Sequence, residues 1–298
     1  MRELQVFNLL PQRLDQYLLT QFPHLGIGRI NKAFRENKIK LNGKKQPLNT
    51  RVIQGDVITL YLKEEQLEAP GKRGLDPKSV IYQDDSVLIL NKPAGLPVDG
   101  EEDSLLERAR KECPSARLCH RLDTGTSGLV MLAKTNGAEK ALTQLIKERK
   151  VEKTYLCVTF GRPQPPAATL HGWLEKNGAK GMVYIHAKKE TPDSKEVLTR
   201  YNTLAVSGRL ALVEVDLLTG RTHQIRAHMA SIGCPILGDS KYGNNAANRE
   251  LKLKYQALCA WRLTFPAHLE GVLTELSGKE FTVPKPWYCA QVLDGTLK

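Results

Sequence analysis

The segment His120-Arg121-Leu122-Asp123-Thr124-Gly125-Thr126-Ser127-Gly128 runs into the apolar stretch Leu129 to Ala133. It sets one carboxylate in a tight polar loop at the head of a strand, a common position for a reacting side chain. In an extended backbone Arg121 and Asp123 point to one side and Leu122 to the other. A cation therefore stands beside the carboxylate while Leu122 anchors the loop. A second polar segment, Thr219-Gly220-Arg221-Thr222-His223-Gln224-Ile225-Arg226-Ala227-His228, is rich in guanidinium and imidazole groups. His223 and His228 are five residues apart, not the four of helical zinc pairs, so they read as structural or phosphate-facing and no metal is expected.

The elements that must hold these residues are short. Val87 to Leu90 is a buried-strand run, ended at Asn91-Lys92-Pro93-Ala94-Gly95, where Pro93 lacks a donor and Gly95 permits positive φ. Ala138, Ala141, Leu142, Leu145 and Ile146 recur at helical spacing and predict an amphipathic helix ending in Lys147 to Lys150. Val151 to Val158 follows as a strand, in which spacing alone makes Tyr155 a packing residue. Many short strands with a few helices and no strict alternation predict an α+β fold with a mainly antiparallel sheet.

At 298 residues and 41% apolar composition the chain has enough material for two domains. The six cysteines are scattered without a Cys-x-x-Cys pair, which excludes a disulfide framework and indicates a reducing compartment. Met1 to Gln5 carries no apolar signal core, and no stretch approaches the ~18 apolar residues of a membrane span. A soluble, cytoplasmic protein is expected, with no membrane partner.

The formal net charge is +12, which favours a polyanionic partner. Within residues 11–62 nine basic side chains face three acids, so half of that excess lies in about a sixth of the chain. A helix over Arg29 to Lys38 gathers Ile30, Ala33 and Phe34 on one side and Arg29, Lys32 and Arg35 on another. Ile39 to Leu41 alternates like a strand, Asn42-Gly43 signals a tight turn, and Val57 to Tyr61 reads as a further strand. Residues 63–78, with Pro70, Gly71, Gly74 and Pro77, show no apolar periodicity and read as a linker.

Taken together, the 120–134 loop and strand, the Asn91 to Gly95 turn, Lys153-Thr154-Tyr155, the Thr219 to His228 segment, Gln256 to Phe265 and Phe281 to Pro284 resemble the RluA-type pseudouridine synthases. These RNA enzymes detach uracil from its ribose and rejoin it through carbon. The chain departs from the family pattern at Leu96 to Gly100, where Val-His-Pro is usual, and at Cys259, where His is frequent. Arg13-Leu14-Asp15, the basic helix, Ile39 to Lys44 and Gly55 to Ile58 resemble the small S-four-type RNA-binding domain. The organisation expected is that domain over 1–62, a linker over 63–79 and an α+β synthase domain with a central cleft over 80–298.

The resemblance implies roles for individual residues. Asp123 is the catalytic carboxylate; it attacks the anomeric carbon or carbon 6 of uracil, or removes the sugar proton at carbon 2. Tyr155 stacks on the extracted uracil and relays a proton, Arg221 pairs with Asp123, and Arg121 fills the gap left when the uridine is swung out. Arg13, Arg29, Lys32, Arg35, Lys38 and Lys44 are the expected RNA-binding residues of the first module. No cofactor and no metal are implied; the partner is RNA, ribosomal RNA ahead of transfer RNA, and the protein a monomer. Two rivals stand beside this reading: an inert RNA-binding or ribosome-assembly factor on the same fold, and a hydrolase using Asp123 on a nucleotide glycosidic bond. An Asp in such a loop is also an ordinary Asx-turn or capping residue when it stands alone.

Overall fold

A computed structural model of the chain describes residues 1–298 except 9, 69–73, 101, 102, 179, 180 and 298, and the side chain of Glu65. It divides into two compact units, Met1–Gly74 and Leu75–Lys298.

In the first unit β1 (Arg2–Gln5) is followed by β2 (Gln12–Arg13), α1 (Leu14–Gln21), α2 (Gly26–Arg35), β3 (Ile39–Leu41), β4 (Arg51–Val52), β5 (Val57–Leu60) and the single turn α3 (Glu64–Leu67). β1, β5 and β3 form a three-stranded antiparallel sheet, and β2 pairs with β4. Leu14, Leu18, Ile30, Ala33, Ile39, Val52, Ile58 and Leu60 fill the core between helices and sheet. The basic helix starts three residues before the expected Arg29 and stops at Arg35. It stops because Asn37 takes φ 59°, so that the amides of Asn37 and Lys38 bond back to the carbonyls of Phe34 and Ala33, a left-handed helix cap. At the Asn42-Gly43 turn both residues have positive φ, 49° and 75°, as a type I′ hairpin requires.

Within the stretch expected as structureless linker, Glu64–Leu67 forms α3, whose Leu67 belongs to this core. Periodicity does not reveal a one-turn helix anchored by a single leucine. Leu75 packs in the second unit, and residues 69–73 of the linker lie outside the described residues.

The second unit contains β6 (Val80–Gln83), β7 (Val87–Lys92), α4 (Leu105–Glu112), β8 (Arg117–Leu118), β9 (Ser127–Ala133), α5 (Asn136–Lys147), β10 (Glu152–Phe160) and β11 (Ala167–Asn177). After these come β12 (Met182–His186), β13 (Lys195–Ser207), β14 (Leu210–Leu217), α6 (Gln224–Ser231), α7 (Asn245–Glu250), β15 (Leu258–Thr264), β16 (Glu280–Thr282) and α8 (Trp287–Leu293). The strands form one sheet in the order β12-β11-β13-β14-β10-β15-β9-β7-β6, with β16 on β15 and β8 on β9. Among the described pairings β15 with β9 is the parallel one, so the fold is α+β with a mainly antiparallel mixed sheet.

The period-two rule divides each central strand between two core layers. Val87 and Ile89 of β7, Leu129 and Met131 of β9, and Leu156 and Val158 of β10 join α5 and α8 on one face. Leu88, Leu90, Val130, Leu132, Tyr155 and Cys157 join α4 and α6 on the other. A sheet covered on both faces explains why Val87 to Leu90 reads as an unbroken apolar run.

Candidate active site

The parallel β9·β15 pair starts both strands at the same end of the sheet, and the loop before β9 carries Asp123. Gly128 makes this approach possible: it has φ 107°, and a Cβ there would lie 2.2 Å from the Ala260 carbonyl oxygen. The loop is then tied down from both sides. The Thr126 amide donates to the Asp123 carbonyl at 2.9 Å and the Gly95 amide to the Thr124 carbonyl at 2.7 Å. On the other side Gln256 Nε2 donates to Thr126 Oγ1 at 3.0 Å.

Under the loop, Lys92 is fully buried and donates its ammonium to the carbonyls of Leu96 (2.8 Å), Pro93 (3.0 Å) and Thr124 (3.2 Å). It thus pins the turn after β7 to the residue following Asp123. Burial, partly opposed by the Asp123 charge, lowers its pKa to about 8. His120 Nε2 accepts the Met131 amide at 3.1 Å. Burial first, and the neighbouring Lys153 charge second, push that imidazole down to about 3, so it is neutral.

Asp123 opens onto a cleft of about 1550 Å³ that runs across the sheet end and is also lined by Arg121, Lys153, Tyr155, Arg221 and Arg226. The side chain is 25% exposed, and its Oδ2 accepts Arg226 Nη1 at 2.7 Å. Its Oδ1 accepts no hydrogen bond from any described residue, which leaves one oxygen free toward the cleft. The carboxylate is therefore neither an Asx-turn acceptor nor a helix cap.

Arg226 is the guanidinium that meets Asp123, which corrects the expectation placed on Arg221. The reason lies at the start of α6. Gln224 is buried; its Nε2 donates to Leu198 O and Thr199 Oγ1, and its Oε1 accepts the Thr219 hydroxyl and the Arg221 amide. The Thr219 to Arg221 turn is thereby closed on its own backbone and leaves the Arg221 side chain exposed at the cleft wall. One helical turn later Arg226 projects inward. Its Nε and Nη2 form a bidentate pair with Asp239 at 2.7 and 2.8 Å, and its plane lies over the Tyr242 ring at 5.2 Å.

Asp239, with a side chain 0% exposed, also accepts the Lys241 and Tyr242 amides on Oδ1. Burial works against both charges. The carboxylates nonetheless raise the Arg226 pKa, and Arg226 with the two amides holds that of Asp239 below the usual carboxylate range. Sequence reasoning gave no role to Arg226, Asp239 or Lys92. The available signal was a second Arg in the 219–228 segment and a lone Asp in the Gly238-Asp239 turn.

Tyr155 lies on β10 level with Ala260 of β15, is 6% exposed, and shares the cleft with Asp123. Burial, then the Asp123 charge, push its phenol well above the ordinary range, and its hydroxyl has no hydrogen-bond partner among the described residues. Arg121 sits at the rim, 66% exposed, with Nη1 3.3 Å from Asp99. The Leu96 to Gly100 departure thus supplies a partner for that arginine.

His223, at φ 55° ahead of α6, places Nδ1 2.9 Å from the Tyr242 hydroxyl and Nε2 3.9 Å from Asp123 Oδ2. His228 Nδ1 is 2.8 Å from Thr199 Oγ1. Among the described residues no group of three or more His, Cys, Asp or Glu side chains could hold a metal ion, and no helix is long and apolar enough to cross a membrane. In the first unit Arg13 is held by Asp15 and Lys38 by Glu36, at 2.7 and 2.6 Å, and Lys32 stands 3.9 Å from Glu36. Arg29, Arg35 and Lys44 are exposed and have no ion-pair partner among the described residues.

Comparison with known proteins gives a consistent picture. The family model for RNA pseudouridylate synthase matches residues 86–231. The chain is 36% identical over 252 residues to the ribosomal large subunit pseudouridine synthase C of Rickettsia bellii, covering 78% of this chain and 83% of the relative. It is 30% identical over 249 residues to the protein of the same name from Vibrio cholerae, covering 78% and 77%. Among solved structures it is similar to human RNA pseudouridylate synthase domain containing 1, with a TM-score of 0.60 and 28% identity over 70% of this chain and 84% of that one.

Proposed function

Because the chain belongs to the RNA pseudouridylate synthase family, we propose that it isomerises uridines of large-subunit ribosomal RNA in the cytoplasm, with Asp123 as the reacting carboxylate. The observation that carries this reading is the Asp123–Arg226 contact at 2.7 Å inside a cleft whose charged walls are mostly basic. Arg226 engages Oδ2 and leaves Oδ1 for the nucleoside. A guanidinium held rigidly by Asp239 keeps the carboxylate's orientation fixed while charge shifts during reaction.

A uridine inside a stacked helix is out of reach of such a group and must be everted, at a cost of roughly a few kcal/mol. Arg121 at the rim is suited to fill the gap, once released from Asp99. A single exposed pair of this kind contributes ~1 kcal/mol or less and does not hold it back. Tyr155 supplies the buried ring against which the uracil stacks. Arg221, freed from the pairing role, reads as a cleft-wall contact to the RNA backbone. Asp123 acts by attack on the anomeric carbon or carbon 6, or by removing the sugar proton at carbon 2.

Residues 1–62, within the first unit, act in this reading as an S-four-type RNA-binding module. Support comes from α2, which buries Ile30 and Ala33 and exposes Arg29, Lys32 and Arg35. Charge reversal at Arg29, Lys32 and Arg35 together is expected to weaken RNA binding and flatten its salt dependence more than it slows the bound complex.

The test of the activity is release of tritium from carbon 5 of uracil in large-subunit ribosomal RNA, with the mass of the RNA unchanged. Binding without release would identify an inert factor, and loss of the base a hydrolase.

A further inference from the structure

Lys153 is a cation inside the cleft for which no described residue supplies a counter-charge. It stands at the start of β10, two residues before Tyr155 and on the same face, and both line the cavity that holds Asp123. Its ammonium reaches toward the Thr219 to Arg221 turn: a Cβ added at Gly220 would lie 3.4 Å from Lys153 Nζ, so the glycine keeps that space open. Among the described residues no carboxylate lies within ion-pair distance of Nζ and no hydrogen bond engages it. His120, the neighbouring titratable group, is neutral and offers no charge. Burial lowers the Lys153 pKa, and no carboxylate offsets the shift. A half-buried ammonium without a partner is costly in a folded protein unless a ligand supplies the anion.

The position indicates which anion. Two residues along a strand span about 6.6 Å, and Lys153 and Tyr155 line the cavity that holds Asp123. Lys153 thus lies one strand step from the ring assigned to the uracil, within reach of a phosphate adjoining that nucleotide. Building on the function proposed above, we propose that Lys153 is a phosphate-binding residue for the backbone next to the everted uridine, its Nζ seated against Gly220. Its role is to fix the register of the nucleotide at Asp123. It does not touch the reacting atoms.

The test pairs the enzyme with a synthetic RNA stem-loop that carries a uridine isomerised by the wild-type protein. Affinity is measured across a salt series for wild type, Lys153→Met and Lys153→Arg, and each phosphate flanking the uridine is replaced in turn by a neutral methylphosphonate. Lys153→Met is expected to bind roughly 10-fold more weakly, as loss of a charged hydrogen bond does. Its salt slope should fall by about 0.7, the share of one single-strand phosphate, and Lys153→Arg should recover most of both. One methylphosphonate should weaken the wild type by a similar factor and leave Lys153→Met unaffected.

Unchanged affinity and slope in Lys153→Met, or losses that simply add, overturn the assignment. So does loss confined to the single-turnover rate, which would place the ammonium at the reacting atoms. The methylphosphonate scan of the wild-type enzyme needs no variant to fold; if neither flanking phosphate matters, the proposal fails. If wild-type enzyme releases no tritium from large-subunit ribosomal RNA, the proposed function itself falls, a result distinct from all of these.

Discussion

Arg226 donates to Asp123 Oδ2 at 2.7 Å although 103 residues separate the two in the chain. The same guanidinium is gripped from behind by Asp239, so a buried carboxylate holds the cation that holds the cleft carboxylate.

Asp123→Asn keeps the shape of the loop and removes the reacting charge. It is expected to abolish tritium release while RNA affinity changes less than about threefold. Arg226→Lys loses the planar fork that reaches both carboxylates and is expected to lower the single-turnover rate by at least ~100-fold. Arg221→Ala should act instead on affinity. A single-turnover defect in Arg221→Ala equal to that of Arg226→Lys would reverse these assignments.

Asp239→Asn tests the rear of the network. The Asn side chain still accepts the Lys241 and Tyr242 amides, but the bidentate ion pair is lost and the buried Arg226 guanidinium keeps only Asp123 as a counter-charge. Loss of one partner from such a pair costs about 3–5 kcal/mol. A clear drop in denaturation midpoint is therefore expected, together with a slower isomerisation step in the protein that remains folded. An unshifted midpoint would show that the pair contributes nothing to the fold.

Several of these relationships could be read before the fold was known, and the reasons differ by residue. Asp123 was legible because a polar glycine-bearing loop against an apolar strand is a local pattern, and the strands and the α5 helix followed from periodicity of two and 3.6. The choice between Arg221 and Arg226 was not legible. It depends on Gln224 closing the turn around Arg221, and that closure uses Leu198 and Thr199 of β13, more than twenty residues upstream. Lys92 looked like turn punctuation because its three acceptors are backbone carbonyls, which leave no trace in side-chain identity. Asp239 required knowledge of which buried cation faced it.

Lys92 ties the loop to pH. Its ammonium must be charged to donate to three carbonyls, and its pKa is lowered by burial from 10.5 to about 8. Above pH 8 the clamp loses its proton, so the isomerisation rate is expected to fall on an alkaline limb near pH 8. Stability moves the other way: between pH 8 and 10.5 the unfolded chain holds this proton more tightly, so the cost of burying the charge, about 3 kcal/mol, is relieved as pH rises. Lys92→Met should remove the alkaline limb and keep a low, pH-independent rate. Rate and unfolding profiles recorded on the same samples separate the two effects.

His120 sets an acid limit. Its imidazole is neutral in the folded protein, with a pKa pushed down from 6.5 to about 3 by burial first and the Lys153 charge second, and its Nε2 accepts the Met131 amide. The unfolded chain takes up this proton near pH 6.5 and the folded protein only near 3, so stability contributed by the neutral ring is lost progressively as pH falls through that window. His228, lowered to about 4 mainly by burial, adds to the same slope between 6.5 and 4. A His120→Gln variant, whose carbonyl can still accept the Met131 amide, is expected to lose less stability than wild type between pH 6.5 and 4. Urea midpoints measured at intervals across that range check this, and parallel curves for the two proteins would mean that His120 is not the group that titrates.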